Sequence, residues 1–442
     1  MTRIRNWLFP PDNRGVAGLV FLPWRWAVTA ILGALAASFL LAGYWYPYWR
    51  MADMDLMMAY QGFLVNSGYE QDFFIHPGHI SVILTIDLAA IFANYRALAL
   101  RVMPTECAAV VKGDAYGCGI EEVVTTLMHA GCRTYFVAHL AEARRVRAIA
   151  KEAAIYVLNG FTTGSGPAFV EAYARPVINS SVELAEWDHF VAQSGWQGGA
   201  GVHVDTGMNR LGLSIDETAA VAARMASEQH GLTLLMSHFA CAEQPNHPLN
   251  DQQIRQFREI RTLFRGIPGS LANSAGMFLD EAAYCDMVRP GVALYGVNPT
   301  PGKPNPMKPV VELQARVLQV RNVPRGASVG YQAAWTAKRA SRIAVIAAGY
   351  ADGILRAAAA TDTDPGRHVV VGGQRCRIVG RISMDLLAVD ATDLKEGAVR
   401  RGDLITLIGD ELTVDAVAAE AGTIGYEVLT NLGRRYRRVW RV

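Results

Sequence analysis

Eight short apolar segments, each ending in a polar residue, recur between residues 108 and 289 and constrain the fold more than any other feature of the sequence. Segments of this length are typical of parallel strands that are covered on both faces. Amphipathic stretches lie between them. In one of these, Ala143, Val146 and Ile149 recur at a spacing that places them on one helical face. This alternation predicts an α/β fold, a (β/α)8 TIM-like barrel.

The polar residues that end the eight segments should meet at one mouth of this barrel, because its parallel strands all point the same way. A packed barrel does not need such a ring of polar groups, so we expect a functional site at that mouth. The residues are Lys112, His139, Asn159, Asn179, Asp205, His238, Ser274 and Arg289.

A proline-rich segment, "NPTPGKPNPMKPVV", interrupts this alternation after residue 297. Its five prolines restrict the backbone and cannot continue a helix or a central strand. Strand-like segments separated by glycine-rich turns follow it. We therefore expect a barrel over residues 83–310 and a mainly-β domain over residues 311–442, preceded by a separate N-terminal segment, residues 1–82.

Residues 26–49 of the N-terminal segment, "WAVTAILGALAASFLLAGYWYPYW", carry no charge and are long enough to cross a bilayer. The bulky residues at the end of this stretch are unlike a signal-peptide cleavage site, so the sequence predicts one uncleaved transmembrane helix. Four arginines precede the stretch and only Arg50 follows it closely. This bias predicts a cytoplasmic N-terminus, with the rest of the chain outside.

The charge and cysteine content of the chain argue against two other classes of protein. The formal net charge is +2 and there is no long basic run, which argues against a nucleic-acid partner. The six cysteines include no Cys-x-x-Cys pair. We therefore expect reduced thiols, with neither a disulfide framework nor a metal site.

Eight motifs, in order along residues 83–442, resemble those of alanine racemases. They are "AVVKGDAYGCG", "HVDTGMNRLG", "SHFACAE", "NSAG", "MVRPGVALYG", "VGYQAAWTA", "AAGYADG" and "GRISMDLLAVD". The resemblance implies an isomerase that uses pyridoxal 5'-phosphate to interconvert L-alanine and D-alanine, and thereby supplies D-alanine for peptidoglycan.

The resemblance also implies how the cofactor is held. Lys112 matches the lysine that binds pyridoxal phosphate covalently, which requires a free amine and hence a lowered pKa. Arg289 matches the residue that faces the pyridine nitrogen. A guanidinium keeps its proton, so it weakens the ring as an electron sink, and this suits racemisation. Further residues that match cofactor contacts are Tyr116, His238, Asn273, Ser274, Gly291 and Val292.

Inverting an α-carbon requires acid–base groups on both faces of the cofactor. By resemblance, Lys112 serves one face and Tyr331 of a second subunit serves the other, which implies a homodimer with shared active sites. Arg210 matches the arginine that binds the substrate carboxylate. Met384 and Tyr350 match residues of the partner subunit that border the substrate.

The sequence departs from the family pattern at three positions. His203 stands where many members carry a carbamylated lysine, so Arg210 must be positioned differently, by imidazole, water or an anion such as chloride. Arg434 stands where a phosphate-binding tyrosine is expected, and Tyr436 is a candidate substitute. Gly113 stands where alanine is commoner, which loosens the backbone.

Two alternatives remain open from the sequence. One is a membrane-anchored serine or broad-spectrum racemase, because an apolar pocket rejects one added hydroxyl only weakly. The other is a non-catalytic pyridoxal-phosphate carrier, although such carriers lack the β-domain and the opposing tyrosine. Free thiols and the metabolic role favour a cytoplasmic catalytic domain, anchored to the inner (plasma) membrane by residues 26–49, against the arginine bias.

Overall fold

The computed structural model describes residues 81–225, 231–364 and 366–442. The predicted transmembrane helix at residues 26–49 lies outside the described residues. Within the ranges that are described, no helix combines the length and the apolar character needed to cross a membrane.

Eight parallel strands in the described part of the chain close into the predicted barrel, and the eight apolar segments supply them. The first strand is split into β2 and β3. The bounds are β2 (Glu106–Cys107), β3 (Ala109–Val110), β4 (Thr134–Val137), β5 (Ala154–Val157), β6 (Arg175–Ile178), β7 (Ala200–His203), β8 (Leu232–Met236), β9 (Gly269–Ser270) and β10 (Met287–Val288). Strands β3 to β9 pair in chain order, and β10 closes the circle by pairing with β2.

Helices cover the outside of the barrel. The bounds are α1 (Leu88–Val102), α2 (Ile120–His129), α3 (Leu140–Ile149), α4 (Gly166–Ala172), α5 (Ser181–Ser194), α6 (Ile215–Met225) and α7 (Pro248–Leu263). In α3, Ala143 and Val146 are buried and Ile149 packs against the core, as the spacing of these residues predicted. Burial of this face holds the helix against the strands.

The C-terminal part is mainly β-structure, as predicted. Its strands are β11 (Val311–Val323), β12 (Ser328–Val329), β13 (Trp335–Thr336), β14 (Ser341–Ile346), β15 (His368–Val371), β16 (Gln374–Val379), β17 (Leu387–Asp390), β18 (Leu404–Ile408) and β19 (Arg437–Arg441). The long strand β11 pairs with both β18 and β14, so that six strands form a closed ring. Two short helices, α8 (Val414–Glu420) and α9 (Gly425–Thr430), complete this part.

The first described strand departs from the predicted division of the chain. All of β1 (Val82–Asp87) except Val82 falls inside the range 83–310 assigned to the barrel, but the strand pairs antiparallel with β11 and parallel with β19. Its alternating burial is that of a strand with one covered face. Alternation predicts a strand without indicating its partners, so the sequence did not reveal that both ends of the described chain share one sheet.

Candidate active site

Lys112 lies two residues after the end of β3 and stands at the barrel mouth where the carboxyl ends of the strands meet. Burial of its amine lowers the pKa of Lys112, and the positive charge of Arg210 lowers it further, while the carboxylate of Glu142 acts in the opposite direction. The net effect increases the fraction of free amine at neutral pH. Lys112 therefore has the property that a covalent cofactor lysine needs.

The turn after Lys112 has an unusual backbone. Residues 113–116 have φ values of 66°, 55°, 53° and 53°, and Gly117 continues the run at 79°. Left-handed residues other than glycine cost roughly 1–2 kcal/mol each. Asp114, Ala115 and Tyr116 therefore adopt this conformation because neighbouring groups hold them in it. The apolar pattern of the sequence did not predict this turn.

The loops after β9 and β10 form a cradle for an anion. The Ser274 hydroxyl accepts hydrogen bonds from the backbone N–H groups of Gly291 (2.9 Å) and Ala293 (3.3 Å). No side chain fits at position 291, because its Cβ would lie 2.3 Å from the Tyr116 hydroxyl oxygen. The backbone on either side of Val292 therefore lies against the hydroxyl groups of Ser274 and Tyr116. Hydroxyl and backbone N–H groups arranged in this way suit a phosphate.

Tyr116 is held by two further tyrosines. Its ring stacks on that of Tyr295, with centroids 4.7 Å apart, and lies 6.2 Å from that of Tyr426. The Tyr295 hydroxyl donates to the Val110 carbonyl (3.0 Å), which ties the stack to the first barrel strand. Burial raises the pKa of Tyr116, so its phenol stays protonated and can donate to an anion.

Arg289 lies inside the barrel mouth, directly after β10, and is buried. Its guanidinium donates to the Ser237 carbonyl (2.6 Å) and to the Ser270 hydroxyl. Among the described residues no carboxylate forms an ion pair with it. Burial lowers the pKa of Arg289 to about 10, which still leaves the group charged at neutral pH. It can therefore donate to a neutral ring nitrogen without transferring its proton.

The motif that carries Arg210 folds around Asp205. One carboxylate oxygen of Asp205 accepts backbone N–H groups from Gly207 and Met208, both at 2.9 Å, and so shapes the loop immediately before Arg210. No hydrogen bond or ion pair to the Arg210 guanidinium is found among the described residues. This exposed cation beside Lys112 suits a substrate carboxylate.

His203, at the carboxyl end of β7, is buried and neutral. Its Nδ1 lies 2.9 Å from the Asn179 side-chain oxygen, and the Asn179 amide nitrogen donates to the Val177 carbonyl (2.7 Å). Nδ1 is therefore the protonated nitrogen, which leaves Nε2 as an acceptor. Burial lowers the pKa of His203 to about 4, and the positive charge of Arg289 contributes.

Two further residues that the sequence predicts as cofactor contacts, His238 and Asn273, line the same mouth. The His238 Nδ1 lies 3.4 Å from the Arg289 guanidinium, and burial together with that charge lowers the pKa of His238 well below its usual value. Its imidazole is therefore neutral. The Asn273 side-chain oxygen accepts the Gly276 N–H (2.9 Å) and shapes the loop that presents Ser274.

Three predicted site residues are exposed on the surface of the C-terminal part. Tyr331, Met384 and Tyr350 are 67%, 54% and 42% exposed. Tyr350 and Met384 belong to one loop pair, because the Tyr350 N–H donates to the Ser383 carbonyl (3.1 Å). Within one chain, no described hydrogen bond or ring contact joins any of the three to Lys112.

The two residues considered as replacements for the phosphate-binding tyrosine differ in their surroundings. Arg434 is exposed. Tyr436 is buried, and its hydroxyl has no hydrogen-bond partner among the described residues. No described contact connects either side chain to the cradle at Ser274, so their role stays a prediction.

Sequence reasoning missed Glu142 and the tyrosines that flank Tyr116. The Glu142 carboxylate accepts hydrogen bonds from Gly113 of the lysine turn (2.6 Å) and from Ala138 before α3 (2.9 Å). Its position three residues after His139, the N-cap of α3, is that of a helix-capping acid, a signal that could have identified it. Tyr295 lies in one of the family-like motifs, whereas Tyr426 comes from α9 and no local pattern indicates its contact.

Comparison with known proteins supports the resemblance to alanine racemases found in the sequence. Residues 86–299 match the family model of the alanine racemase N-terminal domain, and residues 310–440 match that of the C-terminal domain. The chain is 52% identical over 358 residues to an alanine racemase of Methylobacterium sp. (strain 4-46), a match that covers 81% of this chain and 97% of that protein.

Solved structures with a similar fold are also alanine racemases. The fold is similar to that of alanine racemase from Bartonella henselae with covalently bound pyridoxal phosphate, with a TM-score of 0.77 and 39% identity over 81% of this chain and 99% of that one. It is also similar to the biosynthetic alanine racemase from Pseudomonas aeruginosa, with a TM-score of 0.75 and 39% identity over 82% and 100% of the two chains.

Proposed function

The chain belongs to the alanine racemase family, and we propose that it uses Lys112 and Tyr331 as the two acid–base groups that interconvert L-alanine and D-alanine. It is a pyridoxal-phosphate-dependent isomerase. The observation that carries the residue assignment is that Lys112, Arg289 and the anion cradle at Ser274 occupy one barrel mouth. The D-alanine produced supplies peptidoglycan synthesis.

The residues at the mouth suit pyridoxal phosphate. Tyr116, Ser274 and the backbone at Gly291 and Val292 would hold the phosphate, His238 and Asn273 would line the site, and the charged Arg289 would donate to the pyridine nitrogen. When bound, the cofactor supplies an electron sink that stabilises negative charge on the α-carbon. Arg289 keeps its proton and would leave the ring nitrogen unprotonated, which would favour return of a proton over decarboxylation or transamination.

The chain's own groups then move the α-proton. Arg210 binds the alanine carboxylate and orients the α-carbon between two bases. The Lys112 amine, whose pKa is lowered, takes or returns the proton on one face. The Tyr331 phenol does so on the other face.

Exposure of Tyr331, Tyr350 and Met384 favours a homodimer in which each chain completes the site of its partner. An exposed phenol without a described contact to Lys112 of its own chain would gain a catalytic role from such a partner. The alternatives of a serine or broad-spectrum racemase and of a non-catalytic carrier are not favoured, because both parts of the chain match alanine racemase.

Covalent labelling tests the assignment. Borohydride treatment of the purified holoenzyme should attach the cofactor irreversibly to the peptide that contains Lys112, as identified by mass spectrometry. The Lys112→Ala variant should lack both the label and alanine racemisation. Labelling of another lysine in the wild-type enzyme would overturn the assignment.

The membrane anchor is a separate proposal, supported by the sequence of residues 26–49 alone. The full chain should sediment with membranes, with a cytoplasmic catalytic domain that added protease cannot reach in intact cells. A chain without residues 1–80 should leave the membrane fraction and keep its racemase activity. Recovery of the full chain in the supernatant would contradict the anchor, and cleavage of the catalytic domain in intact cells would contradict the cytoplasmic location.

A further inference from the structure

The left-handed turn after Lys112 contacts α3 through the Glu142 carboxylate. One oxygen of Glu142 accepts the N–H groups of Gly113 (2.6 Å) and Asp114 (3.4 Å). The other accepts those of Ala138 (2.9 Å) and His139 (3.1 Å), at the start of α3. The Gly113 N–H belongs to the peptide bond of Lys112 itself. One carboxylate therefore ties the lysine's own peptide group to the next strand–helix junction of the barrel.

A second residue of the same helix holds the same turn. Arg145 lies three residues after Glu142, on the same helical face. Its guanidinium binds the Asp114 carboxylate (2.6 Å) and also both carboxylate oxygens of Glu121 in α2 (2.6 Å each). The Asp114 carboxylate in turn accepts the N–H of Ile120, at the start of α2 (3.2 Å). Contacts from α3 thus restrain both the beginning and the middle of the turn.

We propose that Glu142 and Arg145 form a clamp that holds residues 113–116 in the left-handed conformation and thereby positions Lys112 for covalent attachment of the cofactor. Both are positioning residues, because they contact the turn and not the cofactor or the substrate. This inference rests on the proposed role of Lys112. It adds Glu142 and Arg145, two residues of α3 outside the eight family-like motifs, to the residues that cofactor binding requires.

A purely electrostatic role for Glu142 makes a different prediction. Its negative charge favours the charged form of Lys112, so the pKa of that amine would fall further without it. Glu142→Gln removes the charge and one of the two acceptor oxygens. Glu142→Asp keeps the charge but shortens the reach to the turn. The clamp predicts that both changes weaken cofactor binding, whereas the electrostatic role predicts an effect of Glu142→Gln alone.

Cofactor affinity is the direct measurement. Apoenzyme is titrated with pyridoxal phosphate, and binding is followed by visible absorbance. Glu142→Gln and Glu142→Asp should each raise the apparent Kd about tenfold or more, since hydrogen bonds from backbone N–H groups to a charged acceptor are lost. Arg145→Gln should raise it about threefold or more, because its ion pairs are partly exposed.

Arg144→Gln is the matched control. Arg144 precedes Arg145 on α3 and also forms an ion pair, with Glu171 at 2.7 Å, but this pair does not touch the turn. This variant should keep the wild-type affinity within about twofold. An equal loss in Arg144→Gln and Arg145→Gln would overturn the clamp in favour of a general effect on the helix.

Relief of strain gives a second, independent measurement. Ala115 has φ of 53°, a conformation that glycine adopts without penalty. Ala115→Gly should therefore recover about threefold or more of the affinity lost in Glu142→Gln, although it restores no contact. If both Glu142 variants bind pyridoxal phosphate as tightly as the wild type, or if Ala115→Gly does not rescue, the clamp is wrong.

Amide hydrogen exchange separates failure of the clamp from failure of the proposed function. In the wild-type apoenzyme the Gly113 amide should exchange slowly, and in Arg145→Gln and Glu142→Gln the turn peptide should exchange faster, while Arg144→Gln remains unchanged. If the wild type binds no pyridoxal phosphate but shows this pattern, the role of Lys112 fails and the clamp on the turn stands. If exchange is the same in all four proteins, the clamp fails.

Discussion

Removal of the phenolic oxygen of Tyr331 tests the assignment of two bases. In a Tyr331→Phe variant Lys112 still binds the cofactor, but only one face of the substrate keeps its base. Family resemblance assigns Tyr331 to the L-enantiomer and Lys112 to the D-enantiomer. In deuterated water the variant should exchange the α-proton of D-alanine far faster than that of L-alanine, because loss of one general base costs roughly 10²–10⁴ in rate.

Proton NMR of each enantiomer measures this asymmetry, and net racemisation should collapse at the same time. Equal residual exchange from both enantiomers would mean that one group serves both faces, which the two-base assignment does not allow.

The buried imidazole of His203 makes the stability of the fold depend on pH. In the unfolded chain a histidine binds a proton below pH 6.5, whereas burial holds the pKa of His203 at about 4 in the folded chain. The unfolded state therefore binds more protons in this window, so the contribution of His203 to stability is complete above pH 6.5 and falls as the pH drops. At pH 4 the loss is about 3 kcal/mol.

Thermal unfolding of wild type and His203→Gln across pH 7 to 4.5 tests whether the contribution of His203 to stability falls as the pH drops. The variant should lose less stability than the wild type as the pH falls. His129→Gln, at an exposed position on α2, is the control and should follow the wild type. A His203→Gln profile parallel to the wild-type profile would contradict a buried, neutral imidazole.

At the scale of elements, β19 contacts the end of the lysine turn, where α3 makes no described hydrogen bond. Arg438 donates to the Gly117 carbonyl (2.5 Å), and the Trp440 indole donates to the Cys118 carbonyl (3.3 Å). A chain that ends at Tyr436 loses these bonds and the pairing of β19 with β1. Its free energy of unfolding should fall by at least about 3 kcal/mol, at roughly 1 kcal/mol per lost hydrogen bond.

Urea unfolding followed by circular dichroism measures this loss, and titration with pyridoxal phosphate measures the accompanying loss of cofactor affinity. Removal of Val442 alone, a residue that is 99% exposed, is the control and should change neither quantity. A truncated chain with wild-type cofactor affinity would show that β19 does not support the turn.

At the scale of the whole molecule, the proposed sharing of each active site between two chains predicts complementation between inactive chains. A heterodimer of Lys112→Ala and Tyr331→Phe chains contains one site with both bases intact. After complete subunit exchange, half of the dimers are of this kind and each has one working site, so racemase activity should recover to about a quarter of the wild-type value.

The control mixture pairs the Lys112→Ala chain with a chain that carries both Lys112→Ala and Tyr331→Phe. It should remain inactive, because neither chain supplies Lys112. Absence of activity in the test mixture, when native mass spectrometry detects heterodimers, would place both bases in one chain.

The sequence by itself determined the barrel and the polar residues at its mouth. Apolar segments that end in polar residues specify buried parallel strands locally, and closure of the barrel necessarily brings their ends together. For this reason Lys112, Arg289 and Ser274 could be placed at one mouth from the strand pattern, whereas their roles toward the cofactor were predicted from the resemblance. The motif around Arg210 is equally local, since Asp205 folds its own loop.

Only the tertiary structure decided the contacts that join distant segments. The alternating pattern of β1 did not indicate that it pairs with β11 and β19, because a strand's period does not encode its partner. The left-handed turn after Lys112 has no helical or strand period, and its contacts come from Glu142 and Arg145 of α3 and from Arg438 of β19. Local patterns reflect which face of a segment is buried, whereas strain and charge at a site depend on which segments the completed fold packs against it.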